Sequence, residues 1–190
     1  NKHFNNSRFS SHMKVLTDVT FHATEQDIES ANKRSTDSKL LWKISKNEKG
    51  YALYSTTDIP AFTTIFSAKA LAEYKYRNSH SVQKDWNRHI QMDLPGILIN
   101  HSCDANVGIL DTDKTSGFDF VSLSEISEGT ELTWDYGASE FNSVAFEECL
   151  CGSSKCRGKH IGFEASHSTI RKQTFDKYYA QYLYTWQPTD

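Results

Sequence analysis

Three cysteines inside eight residues constrain this chain more than any other feature of it. Cys149, Cys151 and Cys156 lie in Glu-Cys-Leu-Cys-Gly-Ser-Ser-Lys-Cys-Arg-Gly, and the fourth cysteine, Cys103, stands far upstream in Asn-His-Ser-Cys. Cys149 and Cys151, one residue apart, are badly placed to pair with each other. The opening stretch Asn1 to His12 is polar and lacks the apolar segment that would lead a chain into an oxidising compartment. A shared metal suits the spacing better. Structural zinc takes a closed tetrahedron of thiolates; the Cys-x-Cys turn with Gly152 offers two ligands from one loop, Cys156 a third, and Cys103 can supply the fourth. Zn(2+) held in this way pins a C-terminal loop onto the middle of the chain, and its binding free energy becomes folding free energy for that region. Thiols reserved for a metal also imply a reducing, intracellular setting, in the nucleus or cytoplasm.

The remainder reads as one folded domain. At 190 residues, with 37% hydrophobic and 13% aromatic residues, the chain can bury a sizeable core. No apolar run approaches the roughly 18 residues of a spanning helix, so no membrane partner is expected. A net charge of -3 argues against a generally basic nucleic-acid binder, and no basic stripe accompanies the cysteines, so no direct nucleic-acid binding is expected. Charge is nonetheless segregated: residues 111–150 carry ten acids against Lys114 alone, a stretch expected to attract a Lys-rich peptide. Short apolar, β-prone runs predict strands at 40–45, 51–56, 63–67, 89–92, 118–126 and 131–135, with a strand and then a short acidic helix between Asp18 and Ala31. Apolar and aromatic residues from Ile170 to Trp186 suit one face of a helix over 168–186.

Three segments together resemble the SET-domain protein-lysine methyltransferases. Asn100-His101-Ser102-Cys103-Asp104-Ala105-Asn106 is similar to the family's Asn-His-Ser-Cys-Asp-Pro-Asn, and Glu131-Leu132-Thr133-Trp134-Asp135-Tyr136-Gly137 to its Glu-Leu-Thr-Phe-Asp-Tyr-Gly. The Cys149, Cys151, Cys156 loop resembles the family's post-SET zinc segment, whose fourth ligand comes from the Asn-His-Ser-Cys motif, here Cys103. Upstream, Lys49 to Tyr54 and Asp58-Ile59-Pro60 are similar to its first strand pair.

The resemblance implies a mostly β (β-rich α+β) fold of small curved sheets, in which the Asn100 and Tyr136 segments form a pseudoknot. It divides the chain into a flexible segment at 1–12, a SET domain at 13–147, and a post-SET zinc loop with a C-terminal helix at 148–190, without a pre-SET cysteine cluster. It implies methyl transfer from S-adenosylmethionine to a lysine amine in a protein, a histone being one candidate, with S-adenosylhomocysteine as product. Lys49, Gly50 and Tyr51 meet the methionine end of the donor, Asn100 and His101 its adenosyl part, and Leu150 covers the adenine. Tyr136 is then the catalytic tyrosine, and Trp134 lines the slot for the target amine.

Departures from the family pattern keep two other readings open. Ala52 replaces the second Gly of a Gly-x-Gly, and Ile97 stands where an Arg commonly precedes Asn100 by three. Ala68 lies where many members carry a second tyrosine, which Tyr74 or Tyr76 would have to replace, and Trp134 stands where Phe or Tyr is usual. A SET fold turned to small-molecule chemistry and a catalytically silent donor- or peptide-binding module are the alternatives.

Overall fold

Runs of aromatic and β-branched side chains become short strands that share one core. A computed structural model describes residues 14–15, 23–48, 50–77, 80–142, 148–159 and 161–188. Helix α1 (Glu25–Asp37) precedes a hairpin of β2 (Trp42–Asn47) and β3 (Gly50–Ser55), followed by β4 (Thr64–Ala68), β5 (Ala70–Tyr74), β6 (Val82–Asp85) and β7 (Arg88–Met92). Then come β8 (Asn100–His101), β9 (Val107–Asp111), β10 (Phe118–Ser122), β11 (Glu131–Trp134) and helix α2 (Phe163–Gln173), while β1 (Lys14–Val15) lies at the start. One curved sheet runs β2-β3-β11-β9-β10-β4 with β8 added on β11, and a smaller one runs β1-β5-β7-β6.

The core lies on the inner face of the larger sheet. Phe120 stacks on Phe66 at 4.5 Å, and the Trp134 ring meets Phe120 edge-on at 5.6 Å. Leu53, Ile109, Phe118 and Leu132 fill the space around them with no exposed surface. Each such side chain contributes about 1.5–3 kcal/mol by leaving water. Helix α1 starts at a capping box, Thr24 with Asp27, and buries Ile28 and Ala31. Its Asn32 amide donates to the Ile44 carbonyl at 2.8 Å and accepts the Ile44 N–H at 2.7 Å, so a side chain closes the open edge of β2.

Most expected strands form within a few residues of their predicted limits, and the strand proposed from Asp18 falls largely outside the described residues. Strands β1, β5, β6, β8 and β9 were not anticipated, and two expectations need correction. The single helix over 168–186 does not form. Helix α2 begins earlier and ends at Gln173, Phe175 and Asp176 adopt left-handed φ of 56° and 52°, and the chain continues as a turn and a short 3-10 segment, Gln181–Leu183. The buried Tyr178, Tyr179 and Leu183 mimic helical spacing but pack from irregular backbone.

The acid-rich stretch is also not one solvated face. Asp111 pairs with Lys84 at 2.6 Å, Asp119 accepts from Ser67 at 2.5 Å, Glu131 accepts from Asn100, Asp135 is buried against Arg157, and Glu140 accepts the Gln83 N–H at 2.6 Å. Half of its ten acids serve internal contacts, so its pull on a cationic partner is weaker than the count suggests.

The C-terminal segment docks where β9 carries no side chain. A Cβ at Gly108 would lie 2.6 Å from the Tyr178 Cβ and 2.9 Å from its carbonyl oxygen, and the Ile109 N–H donates to that carbonyl at 3.0 Å. Gly108→Ala is expected to lower stability by about 1–3 kcal/mol through overpacking, measured by denaturant unfolding.

Candidate active site and metal centre

Strand β11 carries the site. It runs antiparallel to β3, with Leu132 opposite Leu53, and parallel to β8, with Thr133 opposite Asn100 and Trp134 opposite His101. Asn106 splints the arrangement, accepting the Thr133 N–H at 2.9 Å and donating to the Glu131 carbonyl at 2.8 Å. The two motif segments that the pseudoknot requires as neighbours therefore lie side by side.

Beyond Trp134 the strand stops. Asp135 accepts the Gly137 N–H at 3.0 Å, which turns residues 136–138 into a 3-10 segment. Tyr136 is thus off the strand, just past the predicted limit of 131–135. The two rings still meet, centroids 5.4 Å apart and tilted by 55°.

The Tyr136 hydroxyl donates to the Ile99 carbonyl at 3.3 Å. Burial pushes its pKa up to about 12, so the phenol stays protonated across the physiological range. His101 lies beside it, ring centroids 5.1 Å apart, and burial followed by the Arg157 charge lowers its pKa to about 4. His101 is therefore neutral. Its Nδ1 accepts the Tyr136 N–H at 3.1 Å and its Nε2 faces the Cys103 sulfur at 3.3 Å. These partners assign the ring proton to Nε2.

The residues expected to hold the methyl donor differ in their surroundings. Asn100 lies against Tyr51, its amide 3.4 Å from the Tyr51 carbonyl, and donates to Glu131 at 2.9 Å. Gly50, next to Tyr51, has a φ of +111° and open space where a Cβ would stand, a backbone conformation that glycine adopts without strain. Lys49 lies outside the described residues. Ala52 is fully buried and not left-handed, so its Cβ imposes no backbone strain. Leu150 is 81% exposed despite being apolar and flanked by two cysteines.

Neither proposed substitute for the second tyrosine stands open at the site. Tyr74 is buried, with its hydroxyl on Gln91, and Tyr76 is 76% exposed. Asp135, Asn106 and Arg157 were not picked out from the sequence, although each lies within or beside a quoted motif. Arg157, immediately after Cys156, was the available signal for the partner of Asp135.

The four cysteine sulfurs lie within 4.8 Å of one another and no disulfide joins them. Tetrahedral zinc with Zn–S bonds of about 2.3 Å requires sulfur separations of about 3.8 Å; Cys103 and Cys149 are 3.8 Å apart. Burial pushes the Cys103 thiol up to about 11 and raises Cys149 further. Burial also opposes ionisation of Cys151, but backbone hydrogen bonds outweigh it and bring that thiol down to about 7. Four thiols this crowded call for a soft divalent cation, and the donor set fits zinc.

Residues 50–137 match the family model described as SET domain. The dim-5 histone-lysine N-methyltransferase of Neurospora crassa, H3 lysine-9 specific, is 37% identical over 83 residues, covering 35% of this chain and 25% of that protein. The ASHH2 histone-lysine N-methyltransferase of Arabidopsis thaliana is 33% identical over 91 residues, 45% of this chain and 5% of that protein. A Schizosaccharomyces pombe histone-lysine N-methyltransferase, H3 lysine-9 specific, is 33% identical over 84 residues, 34% of this chain and 17% of that protein. A solved structure of Kryptonite with mCHH DNA, an H3(1-15) peptide and SAH aligns over 62% of this chain and 29% of that one, with a TM-score of 0.49 and 21% identity.

Over residues 50–137 the chain is thus similar to the SET domain. Its curated relatives are histone-lysine N-methyltransferases, and it spans a quarter or less of the length of these three.

Two predictions follow from the site's ionisation. Filling the cysteine cluster at pH 7.5 must deprotonate Cys103 and Cys149, so calorimetric zinc titration in buffers of different ionisation enthalpy is expected to show one ion per chain and at least two protons released. Two residues beyond the 3-10 turn, burial holds the Glu140 carboxyl at about 7 against an ordinary 4.5. The folded state therefore binds that proton more tightly, and stability falls as pH rises from about 4.5 to 7. Glu140→Gln, which keeps an acceptor for the Gln83 N–H, is expected to add about 1–2 kcal/mol at pH 8 and little near pH 5 in urea unfolding.

Proposed function

We propose that this chain transfers a methyl group from S-adenosylmethionine to the side-chain amine of a lysine in a protein, with a histone as the substrate class. The observation that carries this reading is the protonated Tyr136 hydroxyl, fixed by the Ile99 carbonyl and flanked by Trp134 and His101. The curated relatives, all histone-lysine N-methyltransferases, support the substrate class. A histone substrate in turn means action in the nucleus.

Gly50, Tyr51 and Asn100 are the residues that would hold the donor, with Lys49 beside them in the chain. The open backbone at Gly50 and the contact between Asn100 and Tyr51 fit a ligand lying across both segments. The His101 side chain is committed to Tyr136 and Cys103, so its part toward the donor falls to backbone groups. Leu150 supplies an apolar cover from the metal loop. When bound, the donor supplies an electrophilic methyl on a sulfonium; the amine nitrogen forms the new C–N bond, the C–S electrons return to sulfur, and the amine proton leaves to solvent.

Tyr136 cannot act as a base, because it is already protonated and stays so to about pH 12. Its role is to orient the incoming amine with the neighbouring carbonyl, while Trp134 narrows the approach. A free lysine, with a pKa near 10.4, needs about 4.6 kcal/mol to present a neutral amine at pH 7. Burial beside aromatic rings lowers that requirement by disfavouring the ammonium.

The test is titration of zinc-loaded protein with S-adenosylmethionine, followed by labelled-methyl transfer to mixed histones. Donor binding with labelled histone is the expected result, and transfer is expected to rise from pH 7 to 9 as the substrate amine deprotonates. Tyr136→Phe is expected to lower turnover about 100-fold through lost alignment while donor affinity changes little. Donor binding without any transfer would replace this reading with the silent module.

A further inference from the structure

Two separate routes run from the cysteine cluster to the turn that carries Tyr136. In the first, Cys103 faces His101 Nε2 at 3.3 Å, and His101 Nδ1 accepts the Tyr136 N–H at 3.1 Å. In the second, Arg157 follows the cluster residue Cys156, donates its own N–H to the Cys103 sulfur at 3.4 Å and contacts the Cys103 carbonyl at 3.3 Å. The far end of Arg157 donates to Asp135 Oδ1 at 2.8 Å, the same oxygen that accepts the Gly137 N–H.

Asp135 makes the second route consequential. Its side chain is 2% exposed, and its Oδ2 has no hydrogen-bond partner among the described residues. A buried carboxylate is costly without a countercharge. Among the described residues, Arg157 is the one permanent cation paired with it. The countercharge belongs to the metal loop, next to a ligand, rather than to the sheet that carries Asp135.

We propose that Arg157 and His101 are positioning residues that transmit metal occupancy of the cysteine cluster to the 135–137 turn, Arg157 by neutralising Asp135 and His101 by holding the Tyr136 amide. The catalytic meaning of this coupling rests on the methyl-transfer reading; the coupling itself does not. With the cluster filled, Cys103 is a thiolate and a stronger acceptor for the His101 and Arg157 N–H groups. With the cluster empty, the loop around Cys156 loses its anchor and Arg157 leaves Asp135. Linkage is reciprocal, so weakening the turn must also weaken metal binding, although neither Asp135 nor Arg157 is a ligand.

The test uses the full chain and measures zinc affinity against a chromophoric chelator, together with amide hydrogen exchange at Tyr136 and Gly137 by NMR. Arg157→Met is expected to keep one zinc per chain, to weaken it about 10–100-fold, and to speed exchange at Gly137. Arg157→Lys, which keeps the charge but loses the fork, should recover part of both. His101→Phe should speed exchange at Tyr136 in particular. Lys155→Met is the control, since Lys155 lies in the same loop but forms an exposed pair with Asp104; it should change neither readout.

Zinc affinity and exchange in Arg157→Met equal to those of Lys155→Met would overturn the proposal. Should Arg157→Met fail to fold, Asp135→Asn removes the charge and keeps the acceptor for Gly137; weaker zinc binding supports the coupling, and unchanged binding overturns it. In an active protein, Arg157→Met should lower the rate at saturating donor and peptide more than it raises the donor KM. Coupling seen in a protein that transfers no methyl would remove the methyl-transfer reading and leave the positioning roles standing.

Discussion

Four residues of β11 hold the chain in its shape. A strand this short is normally marginal, yet β11 is bordered on one side by β3 and on the other by both β8 and β9. The parallel pairings are the demanding part. Parallel strands cannot be closed by a tight turn and need a long connection, which the β9–β10 hairpin and its return provide. Asn106 stands at the start of that connection and hydrogen-bonds back to β11 at both Glu131 and Thr133. Because Tyr136 follows this clamped strand directly, the sheet sets its position before any ligand arrives.

The metal loop is held by different forces. Between residues 148 and 159 no strand or helix is described. Its backbone bonds are few, among them Cys149 N–H to the Gly158 carbonyl and Cys156 N–H to the Ser153 carbonyl, both at 3.0 Å. A segment so short of hydrogen bonds and apolar burial cannot offset its own ordering entropy. What fixes it is the cysteine cluster, and what it fixes in return is the position of Leu150 and Arg157. The buried Asp135–Arg157 pair is then a test of docking: removing one partner of such a pair typically costs about 3–5 kcal/mol, although the intact pair adds little net stability.

The sequence carried the strands in a form that could be read, because alternating apolar residues such as those of Phe118 to Ser122 have few alternative uses. The convergence of the four cysteines was legible because thiols at short spacing have a narrow range of roles. Periodicity failed at the C-terminus, where Tyr178, Tyr179 and Leu183 repeat at helical intervals but the break depends on the left-handed Phe175 and Asp176, a backbone feature with no side-chain signature. Charge counting failed for a related reason. Asp111, Asp135 and Glu140 belong to buried or half-buried contacts whose partners, Lys84, Arg157 and Gln83, come from distant parts of the chain. Counting along the chain cannot separate them from solvated acids such as Asp113 and Glu125.

Neither Tyr136 nor His101 is poised to take a proton near neutral pH. Tyr136 holds its own proton to about pH 12, His101 stays neutral down to about pH 4 with both nitrogens engaged, and Asp135 is committed to Arg157 and Gly137. For the proposed transfer this absence is useful. A base strong enough to take the lysine proton would become a charged neighbour of a cationic donor inside a desolvated slot, whereas an amine that has shed its proton on entry needs only alignment. Effective molarities for well-aligned partners are worth about 7–11 kcal/mol, more than the roughly 4.6 kcal/mol required to reach the neutral amine at pH 7. The geometry of the Tyr136 turn is therefore the quantity the fold must protect, and a strand clamp, a buried ion pair and the cysteine loop all converge on it.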